Sequence, residues 1–409
     1  MARAVGGRIP SPAPAETPVF AAQKPATDAL SIPVQTETSD TIASRAAQLR
    51  GQFLARQDRW EDLSSEIKVA DMERKTTPGG LPTSELLAFG ARSDVVHAVE
   101  HALLEECAPE AAAMIDGING LEAMRHEAAD DPYLSLIVAL THIDIGWAWR
   151  GTQSESAVPK LNRAKCSAHF DRAAELLAPW CGIELNSPAL AAARCALLAG
   201  QQEPHLRIAD DYEDLIDLNP ENPRHMRSLG YHLLPRWFGS LDQLELEARR
   251  TASRTLDLWG CGAYTWVYFD AIVTDNPACA QVDVEFFIEG LHDIVDRVPG
   301  QEMVNLLASF CAVAMRRWQG HSTAADLPRL QIVDCAEWLI RDHLTEIHPL
   351  IWAHAADGFD NNARVTSINR FAARGRDQAL ATIADLFRDD IQRGQHVTFT
   401  PDGPQLHPA

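Results

Sequence analysis

No stretch of the 409 residues is apolar over the length needed to cross a bilayer, and the first residues lack the apolar run of a signal peptide. Both absences predict a cytoplasmic protein with no membrane among its partners. Basic residues are scarce: 36 Lys and Arg against 57 Asp and Glu leave a net charge of -21 at pH 7. That balance works against a sequence-independent grip on phosphate backbones and removes nucleic acid from the expected partners. The eight cysteines, at 107, 166, 181, 195, 261, 279, 311 and 335, never fall as Cys-x-x-Cys, so neither half of a zinc or redox site is readable. They read as compact core residues kept reduced. Gly260-Cys261-Gly262 lacks the third glycine and the preceding strand of a dinucleotide fingerprint. A Gly-Lys-Ser/Thr phosphate loop and a Gly-x-Ser-x-Gly elbow are also absent, and no cofactor is expected. Strand-like alternation is confined to His396–Thr400, and Pro401 predicts an edge or tail there.

What the chain has instead is helical periodicity. Residues 1–40 carry prolines at 10, 12, 14, 18, 25 and 33 among Ala, Ser and Thr, a composition that predicts a disordered leader. From Thr41 to Lys75 an apolar face of Leu49, Phe53, Trp60, Leu63 and Ile67 recurs at helical spacing until Thr77-Pro78-Gly79-Gly80 breaks it. Helical patterns follow over Ser84–Glu106, Glu110–Ala129 and Pro132–Arg150. The last is apolar on nearly every side, from Leu134 to Trp147, and predicts a buried helix. A loop over Gly151–Pro159 separates this region from further helices. Among these, Val284, Phe287, Ile288, Leu291 and Ile294 form one stripe, and Met303, Leu306, Leu307, Phe310 and Ala314 the next.

The clearest run is Asp210 to Tyr268. A helix carrying Ile208, Tyr212, Leu215 and Ile216 stops at Leu218-Asn219-Pro220. Asn222 then caps a second helix that starts at Pro223 and carries Met226, Leu229, Gly230 and Leu233, and Gly239-Ser240 opens a third with Leu241, Leu244, Ala248 and Ala252. Leu218-Asn219-Pro220-Glu221-Asn222-Pro223, with Leu229-Gly230-Tyr231 behind it, resembles a junction between tetratricopeptide repeats. Leu185-Asn186-Ser187-Pro188 lies about one repeat of 34 residues earlier, and Gly375 about four such periods after Gly239. Leu234-Pro235-Arg236-Trp237-Phe238-Gly239-Ser240 is similar to a Pro-basic-Trp-Gly-Gly-Ser signature of uncharacterised bacterial helical families, with Phe238 in place of the first glycine. The resemblance implies an all-α fold of antiparallel helical hairpins stacked into a tetratricopeptide-like α-solenoid, and it implies no activity.

Two histidine constellations invite a chemical reading. His97-Ala98-Val99-Glu100-His101 has the His-x-x-Glu-His spacing of inverted zincins, in which two histidines one turn apart hold zinc and the glutamate activates water. A third ligand is not identifiable, so the motif reads as a solvated helix face and no metal is assigned. His343, His348 and His354 are spaced by five and six residues, which does not keep them on one face. They read as structural groups at helix ends. Asp357-Gly358-Phe359-Asp360-Asn361-Asn362 lacks the spacing of a calcium loop and reads as a turn with a helix cap.

Aromatic density singles out one segment, since Tyr231, Trp237, Phe238, Trp259, Tyr264, Trp266, Tyr268 and Phe269 crowd a chain that is only 7% aromatic. Core packing accounts for most of these rings. Tyr231, His232, Arg236, Trp237, Trp259 and Tyr264 are the expected ligand-binding residues, with Arg236 either holding a carboxylate or stacking on a ring. No catalytic residue is assigned. The sequence therefore divides into a leader (1–40), an N-terminal helical region (41–158), helical repeats (159–395) and a C-terminal tail (396–409). The expected function is a scaffold or adaptor that binds a protein or peptide segment in a concave groove. An all-α toroid acting on glycans, a zinc hydrolase and a grooveless structural or regulatory subunit are the alternatives.

Overall fold

The computed structural model describes residues 27–408 except 154, 202, 359–364 and 366, so the Phe359–Asn362 part of the Asp357 turn and the leader before residue 27 lie outside the described residues. The described residues are mostly helical. Thr38 accepts from the Thr41 amide and opens α1 (Ser39–Arg56). The single pattern over 41–75 resolves into two helices, because Asp58 takes a left-handed φ of 52° before α2 (Trp60–Met72) begins. There follow α3 (Thr83–Leu104), α4 (Ala112–Glu127) and α5 (Pro132–Arg150). Asp131 caps α5 by accepting from the Tyr133 and Leu134 amides, with Pro132 supplying the first φ. As its composition predicts, α5 is buried on most sides, but Trp147 lies 40% exposed, edge-on to Phe170. It packs along α6 (Lys160–Leu177).

Two hydrophobic clusters share α7 (Pro188–Leu197). Leu190, Ala193 and Leu197 face the N-terminal cluster, while Ala191 and Cys195, together with Leu198 just beyond, face the C-terminal one. Spacings of three and four residues put each set on its own side of the helix. Arg74, at φ 51°, ties the halves together at the same level, donating to the Leu218 and Asn186 carbonyls at 3.0–3.2 Å and to Asn186 Oδ1 at 2.6 Å.

Beyond it come α8 (Ile208–Leu218), α9 (Pro223–His232) and α10 (Leu241–Arg254), with the cap that the sequence predicts at Asn222 and a second at Ser240. A chain of short helices follows: α11 (Leu256–Trp259), α12 (Gly262–Tyr268), α13 (Ala271–Thr274) and α14 (Asn276–Gln281). α12 is buried along its whole length. Gly230 lets α9 lie directly on it, since a Cβ there would stand 1.7 Å from the Val267 carbonyl oxygen. Asp283 caps α15 (Val284–Arg297), and α16 (Gln301–Ser309) runs into a π-helical segment, Phe310–Ala314. The expected helix 303–314 thus changes its hydrogen-bond register half-way. The same happens where α17 (Thr323–Trp338) continues as π-helical Leu339–His343. The last helices are α18 (Pro349–Asp357), α19 (Ile368–Leu386) and α20 (Arg388–Gln392).

The two ends of the described residues meet. β1 (Leu30–Ser31) pairs in parallel with β2 (Gln395–Thr400), which pairs antiparallel with β3 (Gly403–Pro408) through a turn at Pro401-Asp402. The expected edge strand or tail at 396–409 is therefore the centre of a small sheet, with Val397 and Phe399 buried in the C-terminal core. Pro401 avoids the ladder by occupying the turn. Residues 27–40, assigned to the leader on composition, dock on this end: Gln35 donates to the Ile347 carbonyl, and the Ile347 amide donates to that of Pro33, each at 2.8 Å. Among the described residues no helix is long and apolar enough to cross a membrane.

Candidate functional site

The aromatic segment divides by burial. Trp259 and Tyr264 are core residues at 5% and 0% exposure. Trp259 donates from Nε1 to the Pro220 carbonyl at 2.8 Å; the Tyr264 hydroxyl donates to Glu245 at 2.9 Å and accepts from the Asp283 amide at 3.0 Å. Burial pushes the Tyr264 phenol well above its usual value, so it stays protonated. Neither side chain reaches a surface where a ligand would sit. Tyr231, His232, Arg236 and Trp237 do come together, around the turn between α9 and α10. The Arg236 guanidinium lies 4.9 Å over the Tyr231 ring, and Trp237 lies 5.9 Å from Tyr231. His232 is held from beneath, 2.8 Å from the Tyr212 hydroxyl, and its burial takes the imidazole down to about 4, leaving it neutral near pH 7.

The histidine motifs do not assemble. His97 and His101 stand exposed on α3, with His101 3.6 Å from Glu105. His343 packs edge-on against Trp338, His354 against Phe371, and His348 lies between Glu302 and Glu346 at 3.2 and 2.9 Å. Among the described residues no group of three or more His, Cys, Asp or Glu is placed to hold a metal ion.

A sizeable opening lies elsewhere. A cavity of about 660 Å³ separates α17 from α19 and α20, two walls that make no extended contact with each other. α19 spends one stripe, Phe371, Gly375, Ala379 and Ile383, on its neighbours; a Cβ on Gly375 would stand 1.9 Å from the Pro349 carbonyl oxygen of α18. The adjoining face, Gln378, Ala381, Thr382 and Asp385, lines the cavity. Opposite it stand Val333, Asp334, Ala336 and Glu337 of α17. Ala312 and Ile340, one from each π-helical segment, contribute to the lining, and such segments recur at functional sites because they re-aim side chains out of helical register.

The floor is small and apolar, with Val333, Ala336 and Ala384 buried, and the exposed groups along the walls and rim are polar or charged. Arg388 is paired with Asp385, and Glu337 accepts from Arg341 at 3.2 Å. Asp334 and Arg316 carry no ion pair among the described residues. The arrangement suits an elongated, partly apolar guest with a charge of each sign at its edges. No motif marks this space in the sequence: Gln378, Thr382 and Asp385 look like an ordinary solvated face, and the alanines look like core. The helical spacing of Ala381, Thr382 and Asp385 one step round from the buried stripe is the one trace of it in the sequence. No family model matches the chain, and no curated protein or solved structure matches it either, so its own geometry carries the functional reading.

Proposed function

We propose that the protein is a helical scaffold of tetratricopeptide-like hairpins that holds a helical segment of another protein in the groove between α17 and α19. The observation that carries this reading is the pair of separated walls: α17 and α19 line one open space without extended contact, with Val333, Ala336 and Ala384 buried at its floor and Asp334, Glu337, Gln378 and Asp385 exposed along it. An amphipathic helix satisfies such a groove by placing residues at i, i+3, i+4 and i+7 between the two walls. Unpaired Asp334 and Arg316 then choose its direction, a basic group meeting the first and an acidic group the second.

A photo-crosslinking amino acid in place of Thr382, in the full chain expressed in its own cells, tests this. The expected result is one recurrent partner segment with apolar residues at helical spacing, whose synthetic peptide binds the full chain and loses at least tenfold in affinity against an Ala381→Trp variant that fills the groove. Crosslinks scattered over unrelated peptides, or a peptide whose affinity ignores Ala381→Trp, would end the proposal.

A further inference from the structure

The turn between α9 and α10 shares no residue with that groove and is built as a rigid platform. The Trp237 amide donates to the Leu234 carbonyl at 2.8 Å, and the Phe238 amide to the His232 carbonyl at 3.1 Å. Gly239 admits no side chain, because a Cβ would stand 2.5 Å from the Leu233 carbonyl oxygen. Phe238 stacks on His232, with ring centroids 5.7 Å apart and planes at 22°, and His232 is pinned in turn to Tyr212. On this base Trp237 is 37% exposed, and Tyr231 is half-buried, packed against the C-terminal core. The Arg236 guanidinium is laid over Tyr231 and makes no ion pair among the described residues.

From this geometry we infer a second binding site, in which Arg236 grips a carboxylate while Tyr231 and Trp237 take the apolar or aromatic side chain next to it: the site reads a short acidic-aromatic peptide motif. The planar guanidinium offers two parallel N–H groups that match a carboxylate, and stacking on a ring fixes the fork before the ligand arrives, so little side-chain entropy is lost on binding. One positive charge suits one negative charge. The two arginines of α9 are already engaged, Arg224 with Glu85 at 3.3 Å and Arg227 with Asp270 at 2.8 Å, and buried His232 adds none. In a chain of net charge -21, a dianionic phosphate meets more repulsion than a single carboxylate does. A carboxylate at a chain end and one on a Glu side chain share this chemistry.

Fluorescence polarisation with labelled tetrapeptides and the full chain separates them. The probes are Ser-Glu-Phe-Ser capped at both ends, its Gln counterpart, Ser-Gln-Phe with a free C-terminal carboxylate, and a phosphoserine peptide without Glu. At least one carboxylate probe should bind, and the capped Gln probe about tenfold more weakly or less, since a charge-assisted hydrogen bond lost is worth about that factor. Arg236→Ala should cost the bound probe about tenfold, Arg236→Lys nearly as much for want of the fork, and Trp237→Ala should weaken it without abolishing it. Whichever carboxylate probe binds identifies the source. Equal binding of the Gln probe, indifference to Arg236→Ala, tighter binding of the phosphopeptide, or no binding of either carboxylate probe at millimolar concentration each overturns the inference. Thermal melts of the variants guard against misfolding, and if Arg236→Ala does not fold, Arg236→Lys and Trp237→Ala still decide.

Discussion

On the N-terminal side of α7 the helices meet over aliphatic side chains and two polar knots; on the C-terminal side they meet over rings. Asp71, 3% exposed, accepts from the Ser187 hydroxyl, the Ala189 amide at 3.0 Å and the Tyr133 hydroxyl at 3.2 Å, so one buried carboxylate sets α2, α5 and α7 together. The second knot joins α4, α5 and α6: Arg172 grips both oxygens of Glu122 at 2.7 and 2.9 Å, and Glu122 meets His142, which meets His169. Across α7, Trp266, Tyr264, Tyr268, Phe269, Phe287, Phe310 and Trp352 are fully buried, with Phe269 and Phe310 stacked at 3.9 Å. Buried rings stabilise through area and dispersion and respond to volume. Buried polar groups contribute little net but cost heavily when a partner is lost, so they respond to chemistry.

The largest effect should come from volume in the aromatic half. Trp352→Ala removes a ring at 0% exposure and leaves Asn305 Oδ1 without the indole donor now at 2.8 Å, so a loss of roughly 3–5 kcal/mol in urea melts is expected. Ile137→Ala in the aliphatic half should cost ~2–5 kcal/mol. Because α7 belongs to both cores, each variant should still unfold in one transition seen alike by fluorescence and circular dichroism. Two separated transitions would show that the halves are independent and that the shared helix does not couple them.

Next comes chemistry in the polar half. Asp71→Ala strands the Ser187 hydroxyl and the Ala189 amide at the start of α7, for an expected loss of roughly 1–3 kcal/mol with no large change in buried volume. Asp71→Asn keeps the size and one acceptor and should cost less. If both variants melt like the parent, the knot is water-accessible and the contrast between the halves fails. Smaller still is Arg236→Ala, exposed at a turn, which should stay within about 0.5 kcal/mol, whereas Leu233→Ala three residues away, at 0% exposure, should cost ~2–5 kcal/mol.

These contrasts also mark what the sequence could say. The helix start at Asn222-Pro223 was legible because cap and φ act within three residues, and the same pairing opens α5 at Asp131-Pro132 and α7 at Ser187-Pro188. The stripe of α15 was legible for the same local reason. The π-helical turns were not, since an apolar residue every three or four positions does not reveal that one hydrogen bond has slipped. Pairing of Leu30 with Val397 depends on residues at opposite ends of the chain, beyond any periodicity. Of the six expected binding residues, four lie at one turn and Trp259 and Tyr264 lie in the core: aromatic density reports where rings are, and only the packing reports which way they face.

The smallest expected effect separates His169 from His348 by pH. Near neutrality Glu122 is ionised, its pKa held down to about 2 chiefly by Arg172, so His142 donates to it from Nε2 and accepts at Nδ1 from His169, 2.8 Å away. That wire needs neutral rings. Burial, followed by His142 itself and Lys165, takes His169 down to about 4, and burial lowers His142 as well. Above about pH 6.5 the folded and unfolded chains both carry neutral imidazoles there; as pH falls from 6.5 toward 4 the unfolded chain takes up protons first, and the contribution is lost. His348 runs the other way. Burial opposes its charge, but Glu302 and Glu346 outweigh that and raise its pKa above 6.5. Its contribution is complete below about pH 6.5 and is lost as pH rises through the folded value, because the unfolded chain gives up its proton first. Melting temperatures from pH 4.5 to 8.5 should therefore fall at both ends. His169→Gln should flatten the acid side in part, since His225 and His232, buried to about 3 and 4, remain to weaken it. His348→Gln should flatten only the alkaline side. A parent curve that keeps rising past pH 8, or a His348→Gln curve with the parent's alkaline slope, would mean that Glu302 and Glu346 do not hold that imidazole charged.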